Sequence, residues 1–140
     1  MEKNKIRNRA VIVVALLAIA YVAQVVYFEA RLGYNQPENQ STIVVATFDE
    51  EQNRHERVVR LVEIDGSAYV AANHWPRAWY RQALENPRIE VKMDNEFEPY
   101  IAVPLEGAEE ERIRAVYTVN LEFRFRTGFP PRYFLRLDPA

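Results

Sequence analysis

The chain opens on an unbroken apolar run and then changes to short, alternating segments. From Ala10 to Phe28 (AVIVVALLAIAYVAQVVYF), nineteen residues carry no charge, and Gln24 is the one strongly polar side chain among them. At 1.5 Å per residue such a helix reaches about 28 Å, close to the hydrocarbon thickness of a bilayer. A core helix of a soluble domain would show a polar face, and this run has none. A cleaved leader would use the small residues Ala18 and Ala20, but the apolar run continues well past them. Tyr27 and Phe28 stand where aromatic rings favour the headgroup zone, and Glu29 and Arg31 mark the exit into water. The organisation expected is a basic N-terminus over 1–9, a transmembrane helix over 10–28, a linker over 29–41 and a domain over 42–140.

Beyond the linker, with its Gly33, Pro37 and amides, the pattern shifts to strands. Thr42 to Phe48 is a β-branched run, and Arg57 to Ile64 alternates in part. Asp65-Gly66 tolerates positive φ and predicts a hairpin into Ser67 to Ala72. Trp75-Pro76 opens a helix that Asn86-Pro87 stops, with Ala78, Trp79, Gln82 and Ala83 sharing a face. Ile89 to Met93 and Phe97 to Val103 form a second hairpin around Asp94-Asn95-Glu96. A helix from Gly107 to about Val119 has acids in its first turn and apolar Ile113, Val116 and Tyr117. Pro131 to Leu137 alternates as a last strand. The class is α+β: one transmembrane helix, then a small six-stranded, closed or nearly closed barrel with two short helices.

Charge sets the orientation. The first nine residues carry +3 and the remainder −5 of a net −2, so the positive-inside rule keeps the N-terminus in the cytoplasm. The domain is then extracytoplasmic, in the periplasm of a Gram-negative cell, with the anchor in the inner or plasma membrane. No concentrated basic face is present to neutralise phosphates, so nucleic acid is not an expected partner. The chain has no Cys, and its two His, His55 and His74, show no ligand spacing; thiolate chemistry is excluded and no metal site is expected. No nucleophile-base motif is visible, and a catalytic residue is not assigned.

Tyr69 to Val91 (YVAANHWPRAWYRQALENPRIEV) resembles the split-barrel family of deazaflavin-dependent nitroreductases and quinone reductases. The likeness rests on a strand, a loop, Pro76, Trp79 and Tyr80 at a helix start, and Leu84, Asn86 and Pro87 at its stop. It extends more weakly over 42–139, through Asp65-Gly66, the acidic start Glu109-Glu110-Glu111-Arg112, and Pro130-Pro131. The resemblance implies a split β-barrel, a deazaflavin or flavin cofactor and a quinone-like acceptor. It also implies that Asn73, His74, Trp75, Trp79, Tyr80 and Arg54 are the positions that would hold the cofactor. Members of that family carry a Gly-Arg-x-Ser-Gly turn for the cofactor's phosphate, where this chain has Asp49-Glu50-Glu51-Gln52-Asn53-Arg54. An acidic turn without glycine offers a phosphate neither close backbone approach nor positive charge.

Each candidate has a plainer counterpart. His74 and Trp75 could stack on a flat ring, or be a loop at a helix start; Trp79 and Tyr80 could line a pocket, or be core. Arg54 could meet an anion or be solvated at a turn. The segment Phe123, Arg124, Phe125, Arg126, Phe129 and Arg132 alternates rings with guanidinium groups ahead of the last strand. It could close over a ring, lie on lipid headgroups, dock a partner, or be one more strand with a basic face. Gln24 could hydrogen-bond a neighbouring helix. Two functions follow: a cofactor-free accessory or assembly subunit of a membrane complex, whose partners are the bilayer and other integral subunits, or a membrane-bound flavin- or deazaflavin-dependent oxidoreductase acting on a quinone or similar acceptor.

Overall fold

In a computed structural model of the protein, residues 2–35 and 41–140 are described. The elements in order are α1 (Glu2–Tyr34), β1 (Thr42–Phe48), β2 (Arg54–Ile64), β3 (Ser67–Ala72), α2 (Ala78–Glu85), β4 (Arg88–Met93), β5 (Glu96–Pro104), α3 (Gly107–Val116), α4 (Leu121–Arg126) and β6 (Tyr133–Pro139). The helix α1 continues past both ends of the apolar run, and residues 36–40 of the expected linker lie outside the described residues. Among the described residues, α1 is the helix long and apolar enough to cross a membrane.

The strands close into an antiparallel barrel in the order β1-β2-β3-β6-β5-β4, with β4 returning to β1. Closure leaves no sheet edge unpaired, which is how so short a domain avoids exposed ladders. Both hairpins form as the sequence predicts, the second with a two-residue turn because Glu96, expected in the turn, pairs with Met93 as the first residue of β5. Asp65 and Gly66 have φ of 51° and 77°, and Asp94 and Asn95 have 49° and 72°, the left-handed pair that matches strand twist. The strand β2 starts three residues earlier than its apolar pattern suggests, because Arg54, His55 and Glu56 pair through backbone with Phe48, Thr47 and Ala46 while their side chains stay exposed.

Inside the barrel, Val45, Val70, Val91, Leu135 and Leu137 pack with Trp79 and Ala83 of α2, which caps the core. On the outer face of β3 and β6 lies a second cluster, where Ile113 and Tyr117 from α3 and the residue after it cover Tyr69, Ala71 and Phe134. These two strands are therefore buried on both faces, which explains why β3 reads as a continuous small and apolar run rather than an alternation. The Tyr117 hydroxyl lies between the carbonyl oxygens of Tyr69 at 2.9 Å and Arg60 at 2.5 Å, and burial pushes its ionisation upward.

One sequence expectation needs correction. Phe123 to Arg126 is not a strand with a basic face but the helix α4, a third short helix beside the two expected. Asn120 caps it by accepting from the Phe123 amide at 2.7 Å, and Glu122 pairs with Arg126 one turn on at 2.7 Å. Alternation of rings and charges over four residues fits either period, and the cap decides.

Candidate functional site

The loop between β3 and α2 carries Asn73, His74 and Trp75, followed by Pro76 and the helix start, and each of the three is engaged. The Asn73 side-chain oxygen accepts from Arg132 Nε at 3.1 Å. His74 Nδ1 lies 3.1 Å from both carboxylate oxygens of Glu29, the first charge after the apolar run, and its ring meets Phe123 edge-on at 5.7 Å. Trp75 Nε1 donates to the Thr127 carbonyl at 2.7 Å while its ring stays half exposed. Glu29 is almost fully buried, so its pairing with His74 offsets the desolvation of a carboxylate.

Facing this loop, α4 and the turn after it lie along α1. Tyr21 Oη donates to the Phe125 carbonyl at 2.8 Å, and Gln24 Nε2 donates to the Arg126 carbonyl at 3.2 Å. Tyr21 packs on Phe125 with ring centroids 4.9 Å apart, Phe28 meets Phe123 at 6.1 Å, and Arg126 lies over Phe28. The α1 positions shielded from solvent are Tyr21, Gln24, Val25, Phe28, Glu29, Leu32 and Gly33, a stripe at helical spacing. Gly128, with φ of 72°, lets the turn approach α1 so closely that a Cβ there would sit 2.9 Å from Val25 Cγ1.

The structure thus merges two sets that the sequence kept apart. Asn73 and His74, which the resemblance implies as cofactor positions, contact Arg132 and Phe123, which were candidates for partner contact, while Trp75 reaches Thr127 and Gln24, Phe125 and Arg126 meet along the α1–α4 seam. Arg124 stacks over Phe129 at 5.4 Å, and its Nε is buried with no hydrogen-bond partner among the described residues. Arg132 is held below the ordinary arginine range by burial and by Arg114, Arg124 and Arg60 around it.

The other positions lie elsewhere. Trp79 belongs to the barrel core; Tyr80 stacks nearly parallel on Tyr133 at 5.3 Å, and burial raises its pKa. Arg54 pairs with Glu90 and Glu56 and lies over the Phe97 ring at 4.2 Å, so it serves β4 and β5 rather than the loop at 73–75.

At the β1–β2 turn, Asp49 fills the place an anion would take. Its Oδ1 accepts from the backbone amides of Glu51 at 3.0 Å and Asn53 at 2.8 Å, and its Oδ2 lies 2.8 Å from His55 Nε2. The His55 contact is the chief reason its carboxyl is held down to about 2. A cleft of about 570 Å³ adjoins this turn, lined by Phe48, Asp49, Glu50, Gln52, Glu85, Asn86 and Arg88, three carboxylates against one guanidinium. A cofactor phosphate does not fit here: the amides that would bind it already serve Asp49, and the lining repels it. Among the described residues, no three His, Cys, Asp or Glu side chains converge as a metal set.

Sequence reasoning missed Tyr21, Val25, Glu29, Thr127 and Asp49. Tyr21 and Val25 share the spacing of Gln24 and Phe28, but within a uniformly apolar run that spacing carries no contrast, and Glu29 reads from the sequence as the charge that marks the exit into water.

No family model and no curated protein sequence matches the chain. Solved structures match it in shape. An F420-H2 dependent reductase (FDR-A) has 18% identity and a TM-score of 0.54, over 74% of this chain and 99% of that one. The heme storage protein HutZ from Vibrio cholerae has 16% identity and a TM-score of 0.52, over 81% of this chain and 86% of that one. PhzG from Burkholderia lata, solved with tetrahydrophenazine-1-carboxylic acid, has 15% identity and a TM-score of 0.54, over 84% and 75%. The chain is therefore a split β-barrel in fold, shared with these solved structures, with a long apolar helix packed against it.

Proposed function

We propose that the protein is a membrane-anchored, cofactor-free split barrel acting as an accessory or assembly subunit of an integral membrane complex, its domain on the extracytoplasmic side. The observation that carries this reading is the use of the 73–75 loop: His74 and Trp75 hold α1 and α4 in place. Asp49 meanwhile closes the turn where a phosphate would bind. A barrel whose binding positions fix its own anchor is suited to presenting a rigid surface at a membrane.

A second reading, a flavin- or deazaflavin-dependent oxidoreductase passing hydride to a quinone-like acceptor, draws on the shared fold of the F420-H2 dependent reductase. In that case the cofactor would supply the redox chemistry and the barrel its orientation. One experiment separates them: the full chain, purified in mild detergent from its native membrane, is scanned for visible absorbance, titrated with flavin mononucleotide and with a reduced deazaflavin, and its co-purifying proteins are identified by mass spectrometry. The accessory reading expects no absorbance above 350 nm on the order of one cofactor per chain, no saturable binding, and a fixed set of membrane subunits. Stoichiometric flavin or deazaflavin would refute it.

A further inference from the structure

The segment from Leu121 to Phe129 is the part of the domain with the most to explain. Leu121, Phe125 and Phe129 are 72%, 54% and 44% exposed, with Arg124, Arg126 and the single acid Glu122 interleaved, on a domain whose remaining charge is net acidic. We propose that α4 and its turn form an interfacial foot seated in the headgroup layer of the bilayer that α1 crosses. Leu121, Phe125 and Phe129 reach the acyl chains there, and Arg124 and Arg126 meet the phosphates of anionic phospholipids. The inference rests on α1 being a span.

Length makes the first argument. The hydrogen bonds from Tyr21 and Gln24 place the C-terminal end of α4 level with those residues, seven and four positions before Phe28. That is about 6–10 Å down the helix from the end of the apolar run. Keeping α4 in bulk water would require the span to end before Tyr21. Ala10 to Ala20 would then be the whole span, eleven residues and about 16 Å against the roughly 30 Å required. Extension the other way meets Arg9 and Arg7. A spanning α1 therefore carries α4 into the interface.

Backbone chemistry makes the second. The last carbonyls of a helix are ordinarily left to water. Here the Phe123 carbonyl accepts from Thr127 N at 3.0 Å, and Arg124 from Phe129 N at 2.8 Å. The next three, of Phe125, Arg126 and Thr127, accept from the side chains of Tyr21, Gln24 and Trp75. Irregular backbone entering lipid must be satisfied by protein in this way. Gln24, the lone polar residue of the apolar run, has its partner within its own chain.

Charge makes the third. Arg124 and Arg132 lie near Arg114 and Arg60 beside α4, where Glu110 pairs with Arg114 and Glu122 with Arg126, leaving the arginines in excess. The acidic turn from Asp49 to Glu51 shares one end of the barrel with the loop at 73–75 but lies against α2, beside Ala78, Arg81 and Gln82. Arginine stems can lie along apolar surface while the guanidinium reaches the phosphate level.

The chain has no cysteine, so single labels can be placed cleanly. The full chain carrying Leu121→Cys, Phe125→Cys, Leu16→Cys or Glu50→Cys, each labelled with an environment-sensitive fluorophore, is reconstituted into vesicles of phosphatidylcholine with phosphatidylglycerol. Quenching is read with lipids nitroxide-labelled near the ester carbonyl and with aqueous iodide. The expected result is that positions 121 and 125 are quenched by the lipid nitroxide, with iodide constants several-fold below that of position 50, and that omitting phosphatidylglycerol weakens the lipid quenching at both. Iodide access at 121 and 125 equal to that at 50, with position 16 still shielded, would overturn the foot and leave the span standing. Iodide access at position 16 as well would remove the span and the foot with it. Lipid quenching indifferent to phosphatidylglycerol would overturn the pairing with anionic headgroups.

Discussion

Replacing Gly128 with alanine tests whether α1 and α4 are packed as one unit. The new methyl would lie 2.9 Å from Val25 Cγ1, 3.2 Å from Val25 Cγ2 and 3.3 Å from Trp75 Nε1, at a φ of +72°. The left-handed conformation alone costs about 1–2 kcal/mol for an L-residue, and forcing a methyl into a filled seam adds about 1–3 kcal/mol. Gly66 separates the two contributions: its φ is +77°, but a Cβ there meets nothing within 4 Å. Gly66→Ala should therefore cost only about 1–2 kcal/mol. Urea unfolding in mild detergent, followed by the fluorescence of Trp75 and Trp79, measures both. Gly128→Ala is expected to exceed Gly66→Ala by about 1 kcal/mol or more, and Val25→Ala in the Gly128→Ala background should recover much of that excess. Equal losses for the two glycine variants, or a Val25→Ala loss that simply adds to that of Gly128→Ala, would refute a tight α1–α4 seam.

Two further outcomes follow from the site. Because Asp49 is held at about 2 in the folded protein, below an unfolded carboxylate near 3.9, its contribution to stability is complete above pH ~4 and is lost as pH falls toward 2. Asp49→Asn should flatten that acid limb of the urea midpoint against pH; parallel curves for the two proteins would contradict the assignment. His74→Ala leaves the buried Glu29 carboxylate without its imidazole partner and should cost about 1–3 kcal/mol. Amide exchange should rise in residues 27–34 and 121–127 while the barrel strands keep their protection, and a uniform rise would mean that the pair supports the barrel rather than the anchor.

The resemblance over Tyr69 to Val91 concerned order along the chain, and order is what the barrel preserves: a strand, a loop, a helix that Asn86-Pro87 stops, and a hairpin. What that loop does was not legible. His74 and Trp75 find their partners in Glu29 and Thr127, 45 and 52 residues away, and no local pattern encodes a contact at that distance. The acidic β1–β2 turn was visible as a departure, but that Asp49 itself would take the turn's amides depends on its side-chain geometry.

Sequence alone determined what local physics controls: the uncharged run that makes α1, the turns at Asp65-Gly66 and Asp94-Asn95 where positive φ selects the residue types, and the β-branched segments between them. Tertiary structure decided which way the ambiguous segments went and what faced what. Phe123 to Arg126 became a helix because Asn120 caps it and Tyr21 and Gln24 hold its end. In the apolar run, every face reads alike until a second surface selects one. The stripe from Tyr21 to Gly33 exists as an interface only because β2, α4 and the loop at 73–75 converge on it, a consequence of barrel closure that no single stretch of residues contains.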